Sequence, residues 1–188
     1  MPTPSSYFLA VRQSPALRPR NIERLMAGAA LDQYLYLLDE AFEGGRWHSL
    51  LGNLDDIPAA DWEWIPSAGS RSVRAIAQHV GECKRMYENH AFGDGKLSWN
   101  NFSPDLTATR TRAIQFLRES QERLRTSIAA LGEDSELVGP RKTNWGEMKE
   151  TRWIIAQVIE HDHYHAGEIN HIRSLRSGDD RWAYERSG

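Results

Sequence analysis

The chain has 188 residues, of which 40% are hydrophobic and 26% charged, with a formal net charge of −3 and a single cysteine. That size suits one globular domain around one core and is cramped for two. No apolar run reaches the roughly 18 residues of a membrane helix, no basic cluster offers the counterion-releasing surface of a nucleic-acid binder, and Cys83 has no partner for an internal disulfide, which fits a reducing cytoplasm.

The first twenty residues, "MPTPSSYFLAVRQSPALRPR", carry no early positive charge and an apolar run too short for a secretion signal, and read as a flexible arm. A first helix is expected over 21–45, opening at Asn21 as a cap and closing at the Gly44–Gly45 pair. The stretch that follows mixes Pro, Gly, Asp and Trp, so it predicts a short helical turn and a connector packing aromatic rings on the bundle. Ser72 then reads as the N-cap of a second helix, "VRAIAQHVGECKRMYENHAF", which Gly93 and Gly95 terminate. The third is the clearest: Ile114, Leu117, Gln121, Leu124, Ile128 and Leu131 step by three and four and stop at Gly132. After a loop over 132–150 comes a last long helix over 151–176, with Gly167 its only interior breaker. No alternating strand of convincing length is visible, so the fold class is all-α with four long helices. The domain spans 21–176, with a tail over 177–188.

The last helix carries the chemistry, in "EHDHYHAGEINH". A strand would put His161, His163 and His165 on one face, because side chains alternate with period two. A helix turns about 100° per residue, which gathers Ile154, Val158, His161, His165, Glu168, Ile169 and Ile172 into one stripe and sends Arg152, His163, Asn170 and Ser174 to the opposite, solvated side. The surrounding apolar pattern selects the helix. His171 falls at the stripe's edge and is left without a role. Side chains four apart on a helix have Cβ atoms about 5–6 Å from each other, so the imidazoles of His161 and His165 can converge on one ion. The inward stripe of the second helix, Ser72, Ile76, Val80, Cys83, Met86 and Tyr87, also holds His79. Three histidines from two helices make a metal site with positions left open for water or substrate. Imidazole suits zinc, nickel, copper or iron.

Each residue also has a plainer role. A histidine on an apolar face can be a hydrogen-bonded core residue, Cys83 can be a small apolar filler rather than a fourth ligand, and Glu168 can be a solvated acid rather than a metal partner or base. Trp47, Trp62, Trp64, Trp99, Trp145 and Trp153 read as packing groups.

"AIAQHVGECKRMYENHAFG" followed by "WIIAQVIEHDHYHAGEINHIRSL" resembles the DinB/YfiT-like superfamily of four-helix metalloproteins, over roughly residues 30–175. Its members carry one histidine in the second helix and an H-x-x-x-H pair in the fourth, followed by x-G-Q or x-G-E. The matching positions are His79, then His161 and His165, then Ala166, Gly167 and Glu168. The resemblance implies an up-up-down-down bundle with a long crossover and a bound divalent metal, zinc or nickel first, with iron, copper or manganese as alternatives. It further implies a homodimer in the cytoplasm. Relatives include thiol S-transferases and a thiol-dependent isomerase, so it implies a metal-dependent enzyme joining a low-molecular-weight thiol to a small electrophile. His79, His161 and His165 would hold the metal, and Glu168 would support a ligand or act as base. Departures are the long N-terminal arm and Ala166, where relatives often have Arg. The rival reading is a non-catalytic stress-response or ligand-binding module whose metal only senses or stabilises. A plain bundle with packed histidines is a third.

Overall fold

The computed structural model describes residues 28–55, 57–182 and 185. The expected Asn21 cap and the arm over 1–20 lie outside them. Four long helices form the bundle: α1 (Ala29–Glu43), α3 (Val73–Phe92), α4 (Arg110–Ala129) and α5 (Thr151–Ser177), with a short α2 (Leu50–Asp55) between the first two. Helix α3 begins as its sequence predicts, the Ser72 hydroxyl accepting the Ala75 N–H at 3.2 Å. Helix α4 starts slightly earlier than its apolar stripe suggests, because Thr109 is the residue whose hydroxyl accepts from Arg112. Helix α5 ends where Gly178 takes φ 67°, the left-handed conformation a side chain resists.

Contacts between helices fix their directions. Asp39 meets Arg125 and Glu43 meets Arg118, so α1 and α4 are antiparallel. Lys84 meets Gln121 and Glu88 meets Ser127, so α3 and α4 are parallel. Helix α5 runs back along α3, with Lys84 against Asp162 and the Ala91 carbonyl bridged through Arg141 to Thr151. Two helices thus point each way, and the consecutive parallel pair α3 and α4 requires the long crossover over 93–109. Counted from α1, the order is up-down-down-up and not the expected up-up-down-down: the parallel neighbours are the middle pair, α3 and α4, so the chain makes its one long crossover there.

The core has two layers. One gathers α2 with Phe42, Trp62, Ile76, Val80, Leu117, Ile169 and Ile172; the other joins Leu31, Leu38, Leu124, Ile128, Ile155 and Val158. Trp62 belongs to the core as expected, and its indole N–H donates to the Thr107 carbonyl at 3.1 Å, tying the connector to the crossover. Gly81 brings α3 and α4 together: a Cβ there would stand 2.3 Å from Cε1 of Phe116.

One feature escaped the sequence. The loop before α5 folds into a hairpin, β1 (Pro140–Lys142) paired antiparallel with β2 (Met148–Glu150). Three-residue strands are too short to show alternation. Trp145 at the hairpin's turn packs edge-to-face between Tyr87 and Trp153, docking it on α3 and α5. Trp47, Trp99, Trp145 and Trp153 all remain substantially exposed. Among the described residues, no helix is long and apolar enough to cross a membrane.

Candidate metal centre

Antiparallel packing of α3 on α5 sets His79 opposite the His161/His165 pair. The Nε2 atoms of His79 and His161 are 3.1 Å apart, as are those of His165 and His161. Two nitrogens bound to one ion at about 2.0–2.1 Å, at angles between octahedral and tetrahedral, stand roughly 3 Å apart. His165 is buried, His79 and His161 are half-buried, and His163 faces outward as the helical reading requires. His171 is exposed and takes no part.

Hydrogen bonding tests whether the residues suit a cation. The Nδ1–H of His165 donates to Oε2 of Glu168 at 2.7 Å, which leaves the His165 Nε2 as a bare lone pair. His161 can carry at most one proton on Nε2, so it cannot satisfy both neighbours by donation. Burial also keeps the rings neutral: it pushes His161 down to about 3, helped by the charge of His165 and His79. His79 and His165 are lowered as well, chiefly by burial, with Glu168 opposing. Neutral imidazoles with lone pairs turned toward one point are the donor set that zinc and its neighbours take. The residues fit a divalent ion.

Cys83 offers an overlapping set, since its Sγ and the donor atoms of His79 and His161 all lie within 4.8 Å of one another. The two triads share His79 and His161 and differ in the third donor. The His161 Nε2 contacts to His79 and to His165 are 3.1 Å each, whereas Cys83 Sγ stands 3.7 Å from both ring nitrogens of His79. Burial, with the nearby Glu82, also pushes the Cys83 thiol up to about 12, so without an ion it stays protonated.

Glu168 is held from its far side by Arg71, whose Nη2 donates to Oε1 at 3.1 Å and Oε2 at 2.9 Å. An Arg–carboxylate–imidazole chain therefore runs into the cluster. Arg71 was not singled out in the sequence, because it precedes the α3 cap and belongs to no periodic stripe. Behind the triad lies a buried ion pair, Lys84 Nζ to Asp162 Oδ2 at 2.6 Å, which the sequence reading also missed.

An all-helical bundle with three converging imidazoles and a carboxylate behind one of them defines a class of metalloprotein-like folds. Residues 44–169 match the DinB superfamily, and the chain belongs to that family. YfiT from Bacillus subtilis, described as a probable metal-dependent hydrolase with an unusual four-helix bundle topology, superposes with a TM-score of 0.59 at 13% identity, covering 89% of this chain and 93% of that one. A conserved protein from Enterococcus faecalis gives a TM-score of 0.57 at 16% identity over 79% of this chain and 97% of its own. At these identities the likeness is one of fold. No curated protein matches the chain.

Proposed function

We propose that the chain is a divalent-metal-dependent enzyme that joins a low-molecular-weight thiol to a small electrophile, with His79, His161 and His165 as the metal ligands. The observation that carries the reading is the approach of the His79 and His165 Nε2 atoms to that of His161, each at 3.1 Å, across two antiparallel helices. A bound divalent ion would supply Lewis acidity, lowering the proton affinity of a thiol or water brought to it. Glu168 holds the His165 ring in one tautomer and orientation. Arg71 holds both Glu168 oxygens, which fixes the carboxylate against His165 and leaves Glu168 to support that ligand or to act as base. Zinc or nickel suits the donor set first. A homodimer in the cytoplasm belongs to the same proposal.

Hydrolysis is the second reading, favoured by the description of the Bacillus subtilis neighbour. The same ligands would serve a water in place of a thiol. A non-catalytic module is the remaining reading, and Cys83 or Glu168 completing the shell would favour it. The experiment is a screen of metal-loaded protein with bacillithiol, mycothiol and glutathione against a chromogenic electrophile, with ester and amide substrates run without thiol. Thiol-dependent turnover that disappears in His161→Ala supports the transferase. Turnover only of the esters or amides selects the hydrolase, and none at all selects the non-catalytic module.

A further inference from the structure

Lys84 and Asp162 are 1% and 0% exposed, yet they form an ion pair at the junction of the two core layers. Lys84 Nζ also donates to Oε1 of Gln121 at 2.8 Å and lies 5.1 Å from the centre of the Phe42 ring. The Gln121 amide donates in turn to the Leu38 carbonyl at 3.3 Å. One polar network thus touches all four long helices. It is not built for stability alone, because among the described residues the buried Asp162 Oδ1 has no hydrogen-bond partner, and buried pairs are often matched or bettered by apolar replacements.

We infer that the Lys84–Asp162 pair, with Gln121, is a positioning device that sets the register of α3 against α5 so that His79 reaches His161 and His165. This rests on the metal reading of those histidines. The buried side chains on either side of the pair are aliphatic: Ile76 and Val80 on α3 share one core cluster with Ile169 on α5, and Val158 and Ile159 on α5 belong to the other. Such side chains re-pair readily after a slip of one turn, about 5.4 Å. The ion pair does not. One turn either way from Asp162 stand Val158 and Ala166, both buried, so a slipped Lys84 would face an apolar wall with its charge unpaired. The same slip would carry His79 away from His161 by about a full turn, whereas metal–ligand distances tolerate only about 0.2 Å. On α5, Asp162 sits about 100° around from His161, so the two contacts also oppose rotation.

The test uses the full chain and zinc alone, measuring affinity by competition with a chromogenic chelator and folding by circular dichroism. The register reading expects Lys84→Met/Asp162→Val to remain helical and cooperatively folded but to lose zinc affinity at least tenfold. Leu124→Ala, a core truncation with no part in the network, should lower the melting temperature and leave zinc affinity unchanged. A folded double variant within twofold of wild-type affinity overturns the inference. Should it not fold, Asp162→Glu, which keeps the charge on a longer arm, takes its place with the same two outcomes, and failure of both to fold overturns the inference by making the pair a requirement of folding. Wild-type protein that binds no zinc would instead sink the metal reading itself.

Discussion

Two glycines inside ligand-bearing helices predict opposite outcomes for the same substitution. In α3, a Cβ at Gly81 would stand 2.3 Å from Cε1 and 2.7 Å from Cδ1 of Phe116, where carbon contacts settle at about 3.5–4.0 Å. The ring or the helix must therefore move by more than about 1 Å, and Phe116 is itself buried against Phe102. Overpacking of this kind costs about 1–3 kcal/mol, and so large a shift belongs at the upper end. Replacing Gly by Ala within a helix recovers about 1 kcal/mol of propensity, leaving a net loss of about 2 kcal/mol. In α5, Gly167 is exposed and, among the described residues, has nothing within 4 Å of its hypothetical Cβ, so only the propensity gain of about 1 kcal/mol remains. For a chain of this length 1 kcal/mol moves the melting temperature by roughly 2–4 °C. Gly81→Ala should melt about 4–8 °C lower and Gly167→Ala about 2–4 °C higher, read by calorimetry on metal-free protein. Shifts of the same sign in the two variants would refute the steric argument.

Other outcomes follow from the same contacts. Lys84→Met alone leaves Asp162 buried without its partner and should cost about 3–5 kcal/mol by urea unfolding, whereas Lys96→Met, which breaks the exposed pair with Asp94, should leave the urea midpoint essentially unchanged. Glu168→Gln keeps the size of the group behind His165 but removes its charge, and should weaken zinc binding about 10–100-fold by isothermal titration. Cys83→Ser should leave zinc affinity within a few-fold of wild type if the site is all-imidazole; a loss comparable to that of His161→Ala would place the thiol in the shell.

Much of this was legible in the sequence, and the reasons differ by element. The stripe of α4 is regular because most of its buried face meets the apolar core, so period and burial agree at Leu117, Leu124 and Ile128. His163 could be separated from His161 and His165 because one turn angle governs the whole of α5. The hairpin was hidden by the brevity of its strands, and the exposed Trp145 is explained only by ring contacts with residues on two other elements. Arg71 and Lys84 were missed for a shared reason: their partners, Glu168 and Asp162, are distant in the chain, and pairing across such a distance has no signature in one sequence. Lys84 did leave a trace, as a charged residue among the buried positions of α3.

Whether imidazoles from two antiparallel helices close on one ion is read by X-ray absorption at the metal edge of zinc-loaded protein. The expected result is about one equivalent of zinc with three imidazole nitrogens at about 2.0–2.1 Å and no sulfur, and no zinc retained by His161→Ala. A sulfur scatterer at about 2.3 Å, or a His161→Ala variant that holds a full equivalent, would contradict it.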